Sequence, residues 1–231
     1  MSDGAGEGSA RPRGVFVTGT DTGVGKTRIA TALLAALAAS GVRAVGMKPV
    51  AAGIDASADV NEDVAALAAA GNVDAPLALR NPYAFTEPIA PHLAARDASV
   101  RIDLGAIERA FAALAAHADV VVVEGAGGAL VPLDAASDML DIARVLGIPV
   151  LLVVGMRLGC LNHALLSVLA IRARGLALAG WVANELPPGM ARCADNVATL
   201  ARALGVAPIA TRGPDTPFQL DATAVGKLSL R

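Results

Sequence analysis

The residues with the clearest chemical potential lie in the stretch GTDTGVGKT, from Gly19 to Thr27. An apolar segment precedes this stretch and an alanine-rich helical segment follows it, which is the strand–loop–helix setting of a phosphate-binding loop. In such a loop the backbone amides surround phosphate oxygens at the positive end of the helix. We therefore expect Lys26 to bind the β- and γ-phosphates and Thr27 to ligate Mg²⁺. The alternative is an ordinary glycine-rich turn before a helix.

The loop departs from the usual spacing of its motif at one point. The first glycine of the motif is replaced by Thr20, and Gly19 stands one residue earlier. Glycines at positions 23 and 25 leave room for the backbone to approach a phosphate closely. The amides of Gly23, Val24 and Gly25 are accordingly predicted to bind the nucleotide.

Two carboxylates and a second lysine could complete a site for phosphoryl transfer. Glu124 ends the apolar run VVVVEGAGG, where a charge suits a cation at the strand edge better than a core. Mg²⁺ usually takes one or two carboxylates, so Glu124 is a predicted ligand, whereas Asp63 could equally be a helix-start charge. Lys48, in MKPV, could neutralise an acidic substrate or a moving phosphoryl group, or could be a solvated surface lysine.

Apolar runs of strand length alternate with helical segments along the chain. Strands are predicted over residues 14–19, 43–50, 119–125, 149–155, 176–185 and 206–211. Helices are predicted over residues 26–40, 61–70, 103–117, 160–174 and 192–204. This order predicts an α/β fold with a doubly wound, mainly parallel sheet flanked by helices, in a P-loop NTPase-like single domain. Ligands bind such sheets beyond the carboxyl ends of the strands, and the residues that follow the predicted strands there are 18–27, Lys48, 124–128, 157–162 and Asn184.

The composition limits the classes of protein and partner. The 231 residues are 55% hydrophobic and 17% charged, with a formal net charge of −2 and no basic run, so we expect neither nucleic acid nor membrane as a partner. Cys160 and Cys193 are expected to be reduced thiols in a cytoplasmic protein. Residues 1–13 lack the pattern of a signal peptide and are predicted to be a flexible tail before a domain over residues 14–231.

Several motifs together resemble one family. The segments FVTGTDTGVGKT, KPVAAG, NPYAFTEPIAPH, VEGAGG, VVGMRLGCLNHA and GWVANE are similar, in this order, to those of dethiobiotin synthetases. The resemblance runs from about residue 15 to residue 184 and is sparse beyond. It implies a Mg²⁺- and ATP-dependent cyclo-ligase of biotin biosynthesis. Its substrates are 7,8-diaminononanoate and CO₂ (or bicarbonate), and dethiobiotin, ADP and phosphate form through a carbamate and a carbamic–phosphoric anhydride.

The resemblance also implies roles for individual residues. Lys26 and Lys48 stabilise the carbamate and the transferring phosphoryl group, Thr22 contacts the carbamate, and Mg²⁺ lies among Thr27, Asp63 and Glu124. Asn184 hydrogen-bonds the adenine. Further nucleotide contacts are implied at Gly125, Gly127, Glu185, Pro214, Asp215 and Thr216. Further substrate contacts are implied at Ala52, Gly159, Cys160, Leu161 and Asn162, and the last four reach the active site of the partner subunit in a homodimer.

Three departures from the family pattern and two rival functions bear on this interpretation. Gly23 replaces a common glutamate, Ala52 replaces a common serine, and the region after Pro208 does not match cleanly. A corrinoid amidase-like synthetase would need an additional amidotransferase domain, for which we expect the chain to be too short. A partitioning-type switch ATPase would need basic patches or an amphipathic end helix, which the sequence lacks. Trp181 is predicted to pack within a strand rather than to stack on a base.

Overall fold

The computed structural model describes residues 13–54 and 60–213, together with Gly226 and Leu228. Residues 1–12 of the expected tail over residues 1–13 lie outside the described residues, as do the predicted nucleotide contacts Pro214, Asp215 and Thr216. The helices are α1 (Lys26–Ala39), α2 (Glu62–Ala70), α3 (Leu77–Arg80), α4 (Pro91–Asp97), α5 (Leu104–Ala115), α6 (Met139–Leu146), α7 (Cys160–Ala173) and α8 (Cys193–Leu204). The strands are β1 (Gly14–Gly19), β2 (Ala44–Met47), β3 (Val50–Ala52), β4 (Tyr83–Phe85), β5 (Val120–Gly128), β6 (Val150–Met156), β7 (Leu178–Glu185) and β8 (Ala210–Arg212).

Six of these strands form one sheet in the order β2-β5-β1-β6-β7-β8. Every neighbouring pair in this sheet is parallel, and β3 and β4 form a separate, small parallel sheet. Parallel neighbours need crossover connections, which the intervening helices provide. The predicted α/β class with a mainly parallel sheet flanked by helices is confirmed.

The sheet is buried on both faces, as its continuously apolar strands predict. In β5, Val121 and Val123 face the core beneath α5 and α6, while Val120 and Val122 face the core beneath α1. All four valines are buried. Trp181 in β7 is also fully buried, and its Nε1 donates to the carbonyl oxygen of Val206 at 3.0 Å, which confirms its packing role.

The strand predicted over residues 43–50 is divided in the structure. β2 ends at Met47, and β3 begins at Val50 in the other sheet. Pro49 has no N–H to give to a ladder and restricts the backbone of the residue before it, so the chain leaves the large sheet at this point. Lys48 therefore lies at a junction between two sheets rather than within a strand.

Helices α3, α4 and α6 were not predicted from the sequence. A capping box marks the start of α6. The carboxylate of Asp138 accepts from the backbone N–H of Asp141, and the carboxylate of Asp141 accepts from the backbone N–H of Asp138. Gly147, with φ 64°, ends the same helix. None of the described helices has both the length and the apolar character needed to cross a bilayer.

Candidate active site

The loop between β1 and α1 has the backbone conformation that its glycines permit. Gly23 and Gly25 adopt φ values of 72° and 91°, in the left-handed region. A Cβ atom at position 25 would lie 2.5 Å from Nδ2 of Asn184, so this position needs glycine for space as well as for conformation. The N-terminus of α1 carries no side-chain cap, and its amides are of the kind that bind anions.

Lys26 is buried beside this loop. Its Nζ donates to the carbonyl oxygen of Asp21 at 3.0 Å. Burial lowers the pKa of Lys26 from 10.5 to about 8, although the charge of Glu124 acts in the opposite direction. An anion placed at the loop would favour the charged form of this lysine.

The register of the sheet brings Lys48 and Glu124 together. Met47 of β2 pairs with Val123 of β5, so the residues that follow them stand side by side at the carboxyl end of the sheet. Nζ of Lys48 lies 2.8 Å from Oε1 of Glu124. The two residues are 5% and 1% exposed, which makes this a buried ion pair.

Asp63 and Thr27 complete what we call the carboxylate cluster, defined as Thr27, Lys48, Asp63 and Glu124. Asp63 lies in the first turn of α2, and its Oδ2 is 2.5 Å from Nζ of Lys48. The hydroxyl oxygen of Thr27 is 2.7 Å from Oδ1 of Asp63 and 2.8 Å from Oε1 of Glu124. The structure therefore brings Thr27, Lys48 and Glu124, which the sequence placed at this edge, together with Asp63, which the family resemblance assigned to the same site.

The charges within the carboxylate cluster support one another. Burial acts to lower the pKa of Lys48, but the neighbouring Glu124 and Asp63 outweigh it and raise that pKa. Burial also acts to raise the pKa of Asp63, but Lys48 outweighs it and the pKa is lowered. The pKa of Glu124 is raised because this carboxyl is almost completely buried. Lys48 and Asp63 therefore form a charged pair across the physiological range.

The oxygen atoms of the carboxylate cluster are chemically suited to a hard cation. The described part of the chain holds no group of three or more His, Cys, Asp or Glu side chains placed to bind a metal. One hydroxyl and two carboxylates are the kind of partial oxygen set that Mg²⁺ accepts while it keeps several waters. Oε2 of Glu124 is buried and has no hydrogen-bond partner within the described residues, which leaves an acceptor available.

Thr22 of the loop lies close to the end of β5. Thr22 is exposed. A Cβ atom at Gly127 would lie 3.5 Å from the Thr22 hydroxyl oxygen, so the two predicted site residues are close to each other. Gly125 is buried, and a Cβ atom there would lie 2.8 Å from the ring of Phe16. Gly125 therefore serves close packing of the strand end.

The segment before α7 is connected to the phosphate loop by an ion pair. Arg157 donates to the carboxylate of Asp21, whose pKa is lowered first by the backbone amide of Thr22 and then by Arg157. Gly159 caps α7 with φ 97°, Cys160 is buried, and Asn162 is exposed. Leu161 is half-buried. The ion pair between Arg157 and Asp21 was not predicted, although Asp21 lies within the loop motif.

Asn184 and Glu185 end β7 beside the loop, and both have partners within the chain. Nδ2 of Asn184 donates to the carbonyl oxygen of Val24 at 2.7 Å, and its Oδ1 accepts from Nη1 of Arg212 at 3.1 Å. Oε1 of Glu185 accepts from the backbone of Met190 at 2.8 Å. Adenine recognition by Asn184 stays a prediction, since this amide now binds the loop backbone.

Ala52 lies farther along, in β3 of the small sheet, where it is half-buried opposite Phe85. A residue that sequence reasoning missed lies near the start of the same sheet. Asn81 donates to the carbonyl oxygen of Lys48 at 2.7 Å. The signal for it was its place in the motif NPYAFTEPIAPH, to which no role had been given.

Comparison with known proteins places this site in a family. The family model described as "AAA domain" matches residues 13–213. A protein of Aromatoleum aromaticum named "ATP-dependent dethiobiotin synthetase BioD" is 53% identical over 204 residues, which cover 85% of this chain and 91% of that protein. The chain belongs to the dethiobiotin synthetase family. This membership confirms the predicted enzyme class, an ATP-dependent ligase.

Other dethiobiotin synthetases give the same result. The one from Nitrosospira multiformis is 54% identical over 192 residues, which cover 83% of this chain and 84% of that protein. The one from Xanthomonas oryzae pv. oryzae is 52% identical over 198 residues, which cover 85% of this chain and 88% of that protein.

Solved structures of other P-loop proteins share the fold of this dethiobiotin synthetase family member. The MinC:MinD cell division complex of Aquifex aeolicus aligns with a TM-score of 0.54 at 14% identity, over 89% of this chain and 82% of that chain. A ParA family ATPase from Chlorobium tepidum aligns with a TM-score of 0.52 at 11% identity, over 95% of this chain and 91% of that chain. At these identities the likeness shows the fold alone, and it confirms the predicted P-loop NTPase-like domain.

Proposed function

We propose that the protein converts 7,8-diaminononanoate, CO₂ and ATP into dethiobiotin, ADP and phosphate in biotin biosynthesis. One observation carries the proposal. In a member of the dethiobiotin synthetase family, a glycine loop with a buried lysine stands beside a second lysine held by two carboxylates, at one end of the sheet. This arrangement supplies positive charge where a phosphoryl group would move between a nucleotide and an acidic acceptor.

The first steps create and phosphorylate a carbamate. One amine of the substrate adds to the carbon of CO₂ and loses a proton, which gives the carbamate. A carbamate oxygen then attacks the γ-phosphorus of ATP as the bond to the β-phosphate oxygen breaks and ADP leaves. Phosphoryl transfer of this kind needs positioning and charge stabilisation more than covalent help, and Lys26 and Lys48 provide both. Thr22, exposed beside Gly127, would orient the carbamate.

The last step closes the ring. The neighbouring amine attacks the carbonyl carbon of the mixed anhydride, the bond from that carbon to the phosphate oxygen breaks, and the attacking nitrogen loses a proton. The products are a cyclic urea and inorganic phosphate. The protein contributes by holding the amine and the anhydride together, which removes much of the entropic cost of their encounter.

The carboxylate cluster is the proposed place of Mg²⁺. Thr27, Asp63 and Glu124 would hold the ion, and the spare acceptor on Glu124 supports this choice. When bound, the ion would neutralise phosphate charge. The ammonium of Lys48 is held by Asp63 and Glu124, which supports the choice of these carboxylates as the place of a cation.

The nucleotide would lie along the loop, with its phosphates on the amides of Gly23, Val24 and Gly25. Gly127 and the end of β7 would border it, with the adenine near Asn184 and Glu185. To bind a base, the Asn184 amide must share or give up its contacts to Val24 and Arg212.

A homodimer accounts for an unusual helix. The inward face of α7 is apolar, but Leu166 and Leu169 on its outward face are 55% and 61% exposed, and Leu158 just before it is 95% exposed. A helix that is apolar on both sides needs a second partner. We propose that a second copy covers these leucines, which would bring residues 159–162 to the active site of the partner.

The test is analysis of the product by mass spectrometry. The protein is incubated with the diamine, ¹³C-bicarbonate, Mg²⁺ and ATP, and each component is omitted in turn. The proposal expects dethiobiotin with one ¹³C atom, and phosphate release that depends on both the diamine and bicarbonate. ATP hydrolysis without the diamine, and no cyclic urea, would indicate a switch ATPase and contradict the proposal.

A further inference from the structure

We infer that Asn81 is a positioning residue for Lys48: its side-chain amide fixes the main chain from which the reactive ammonium projects. This inference rests on the proposed function, since that function gives Lys48 its role in charge stabilisation.

The main chain at Lys48 needs partners from outside its own strand. Lys48 lies between the end of β2 and the start of β3, and the following Pro49 has no N–H. Buried backbone groups that lose a ladder partner must find another. The N–H of Lys48 donates to the carbonyl oxygen of Arg80 at 2.8 Å, and its carbonyl oxygen accepts from Nδ2 of Asn81 at 2.7 Å. Two successive residues of another segment therefore bind both polar groups of Lys48.

The amide of Asn81 is itself well anchored. The residue is buried, and Nδ2 also donates to the carbonyl oxygen of Tyr83 at 3.0 Å. The N–H of Tyr83 in turn donates to the carbonyl oxygen of Pro49 at 3.0 Å. These contacts connect the start of the small sheet to the Lys48–Pro49 junction, so Asn81 joins two segments that are distant in sequence.

The neighbouring Arg80 secures this segment to the large sheet. Its side chain donates to the carbonyl oxygens of Val73 at 2.7 Å and Ala75 at 3.1 Å, and it reaches Gly46 of β2 at 3.5 Å. The main chain that carries Asn81 is thus fixed relative to β2. A change in its amide would be transmitted to Lys48 rather than absorbed by movement of the segment.

Aspartate is the most informative replacement, because it keeps the size of asparagine and removes both N–H donors. In Asn81→Asp, the carbonyl oxygens of Lys48 and Tyr83 lose their donor and face a carboxylate. The main chain at Lys48 would shift, and Nζ would leave the position set by Asp63 and Glu124. A displacement of about 1 Å at a reacting group can reduce the rate by about 100-fold.

Asn72 offers a matched control at the other end of the same strand. Its Oδ1 accepts from the N–H of Ala44 at 2.8 Å, and its Nδ2 donates to the carbonyl oxygen of Val42 at 3.0 Å. Asn72→Ala therefore removes an amide that also binds the edge of β2, but far along the strand from Lys48. It should leave kcat unchanged.

The experiment is a double-mutant cycle on the complete protein, with kcat and the KM for ATP as readouts. Asn81→Asp should lower kcat by about 10- to 100-fold and change the KM for ATP by less than about 2-fold. The reason is that a displaced Lys48 stabilises the moving phosphoryl group less well, whereas binding of ATP is unaffected. In the Lys48→Met background, Asn81→Asp should lower kcat no further, since it acts through Lys48. A purely structural effect would lower kcat equally in both backgrounds.

The outcomes separate this inference from the proposed function. An Asn81→Asp protein with normal kcat, or with the same loss in both backgrounds, overturns the inference. A Lys48→Met protein with normal kcat overturns the proposed role of Lys48 instead. If Asn81→Asp shows no cooperative unfolding transition, Asn81→Ser takes its place in the cycle, with the same expected and contradicting results.

Discussion

Nζ of Lys48 lies 2.8 Å from Oε1 of Glu124, and both residues are buried. Asp63 contacts the same ammonium at 2.5 Å, so one cation neutralises two carboxylates. Burying such charges costs more free energy than an apolar cluster of the same shape would, which favours a functional reason for the arrangement. Lys48 occupies the position among these carboxylates that Mg²⁺ would share, and the two cations should therefore compete.

Replacement of Lys48 by Met tests this competition. Without the ammonium, the buried Glu124 and the nearby Asp63 lack their counter-charge, so the Mg²⁺-free protein should lose roughly 3 kcal/mol of stability. Millimolar Mg²⁺ should then stabilise the variant more than the wild type, because the ion no longer displaces a lysine. Urea unfolding with EDTA and with Mg²⁺ measures both effects. An equal response to Mg²⁺ in the two proteins would contradict the competition.

Asp63→Asn should weaken the use of Mg²⁺. The change keeps the size of the side chain but removes one of the two carboxylates that lie within 3 Å of Thr27. We expect the Mg²⁺ concentration for half-maximal turnover to rise by about 10-fold or more, in the range seen when a metal site loses a supporting group. Glu62→Gln, an exposed neighbour in the same helical turn, is the control and should leave this concentration unchanged.

The stability of the ligand-free protein should depend on Lys26 at alkaline pH. Burial lowers the pKa of Lys26 in the folded protein from 10.5 to about 8. Between these two values the unfolded chain keeps this proton and the folded protein does not, so the contribution of Lys26 to stability rises with pH. Below about 8 both states are protonated, and that contribution no longer changes. Unfolding measured across this range, with Lys26→Met as the reference, should show the rise only in the wild type.

The same lysine should make ATP binding consume a proton. A triphosphate on the loop favours the charged ammonium, so at about pH 9 binding should be accompanied by proton uptake. Calorimetry in buffers of different ionisation enthalpy measures this uptake. Lys26→Arg is the control, because a guanidinium stays charged at this pH and has no proton to gain. Equal uptake by both proteins would argue against a buried, proton-losing Lys26.

The exposed leucines of α7 should hold the homodimer together. Leu166→Glu places a charge on the apolar face and should shift the protein to monomers in analytical ultracentrifugation. If residues 159–162 serve the active site of the partner, the KM for the diamine should rise as well. Leu77→Glu is the control, since Leu77 is also an exposed leucine but belongs to another helix. A Leu166→Glu protein that stays dimeric would place the interface elsewhere.

Local sequence signals were sufficient for most of the fold. β1 and the start of α1 match their predicted bounds, because an apolar run ends at a glycine loop and a GKT motif opens the helix. The division at Lys48–Pro49 was missed because the apolar pattern continues across it, although Pro49 could have indicated the break. The start of α6 had a readable signal in Asp138 and Asp141, but it is embedded in a stretch of small residues.

The candidate site was predictable where it depends on strand ends. Lys48 follows one apolar strand and Glu124 follows the valine run of another, so a parallel sheet places them at one edge, and the register makes them neighbours. The contacts of Asn81 with Lys48, of Arg157 with Asp21 and of Asn184 with Val24 could not be predicted in this way. They join segments that are distant in sequence, and no periodic pattern encodes such pairs.

A crystal structure with Mg²⁺, a non-hydrolysable ATP analogue and the diamine tests the central claim most directly. The account predicts that the γ-phosphorus lies between Lys26 and Lys48, with Mg²⁺ on Thr27, Asp63 and Glu124 and one substrate amine facing the phosphate. A triphosphate bound at another edge of the sheet, or a γ-phosphate out of reach of Lys48 and Glu124, would contradict it.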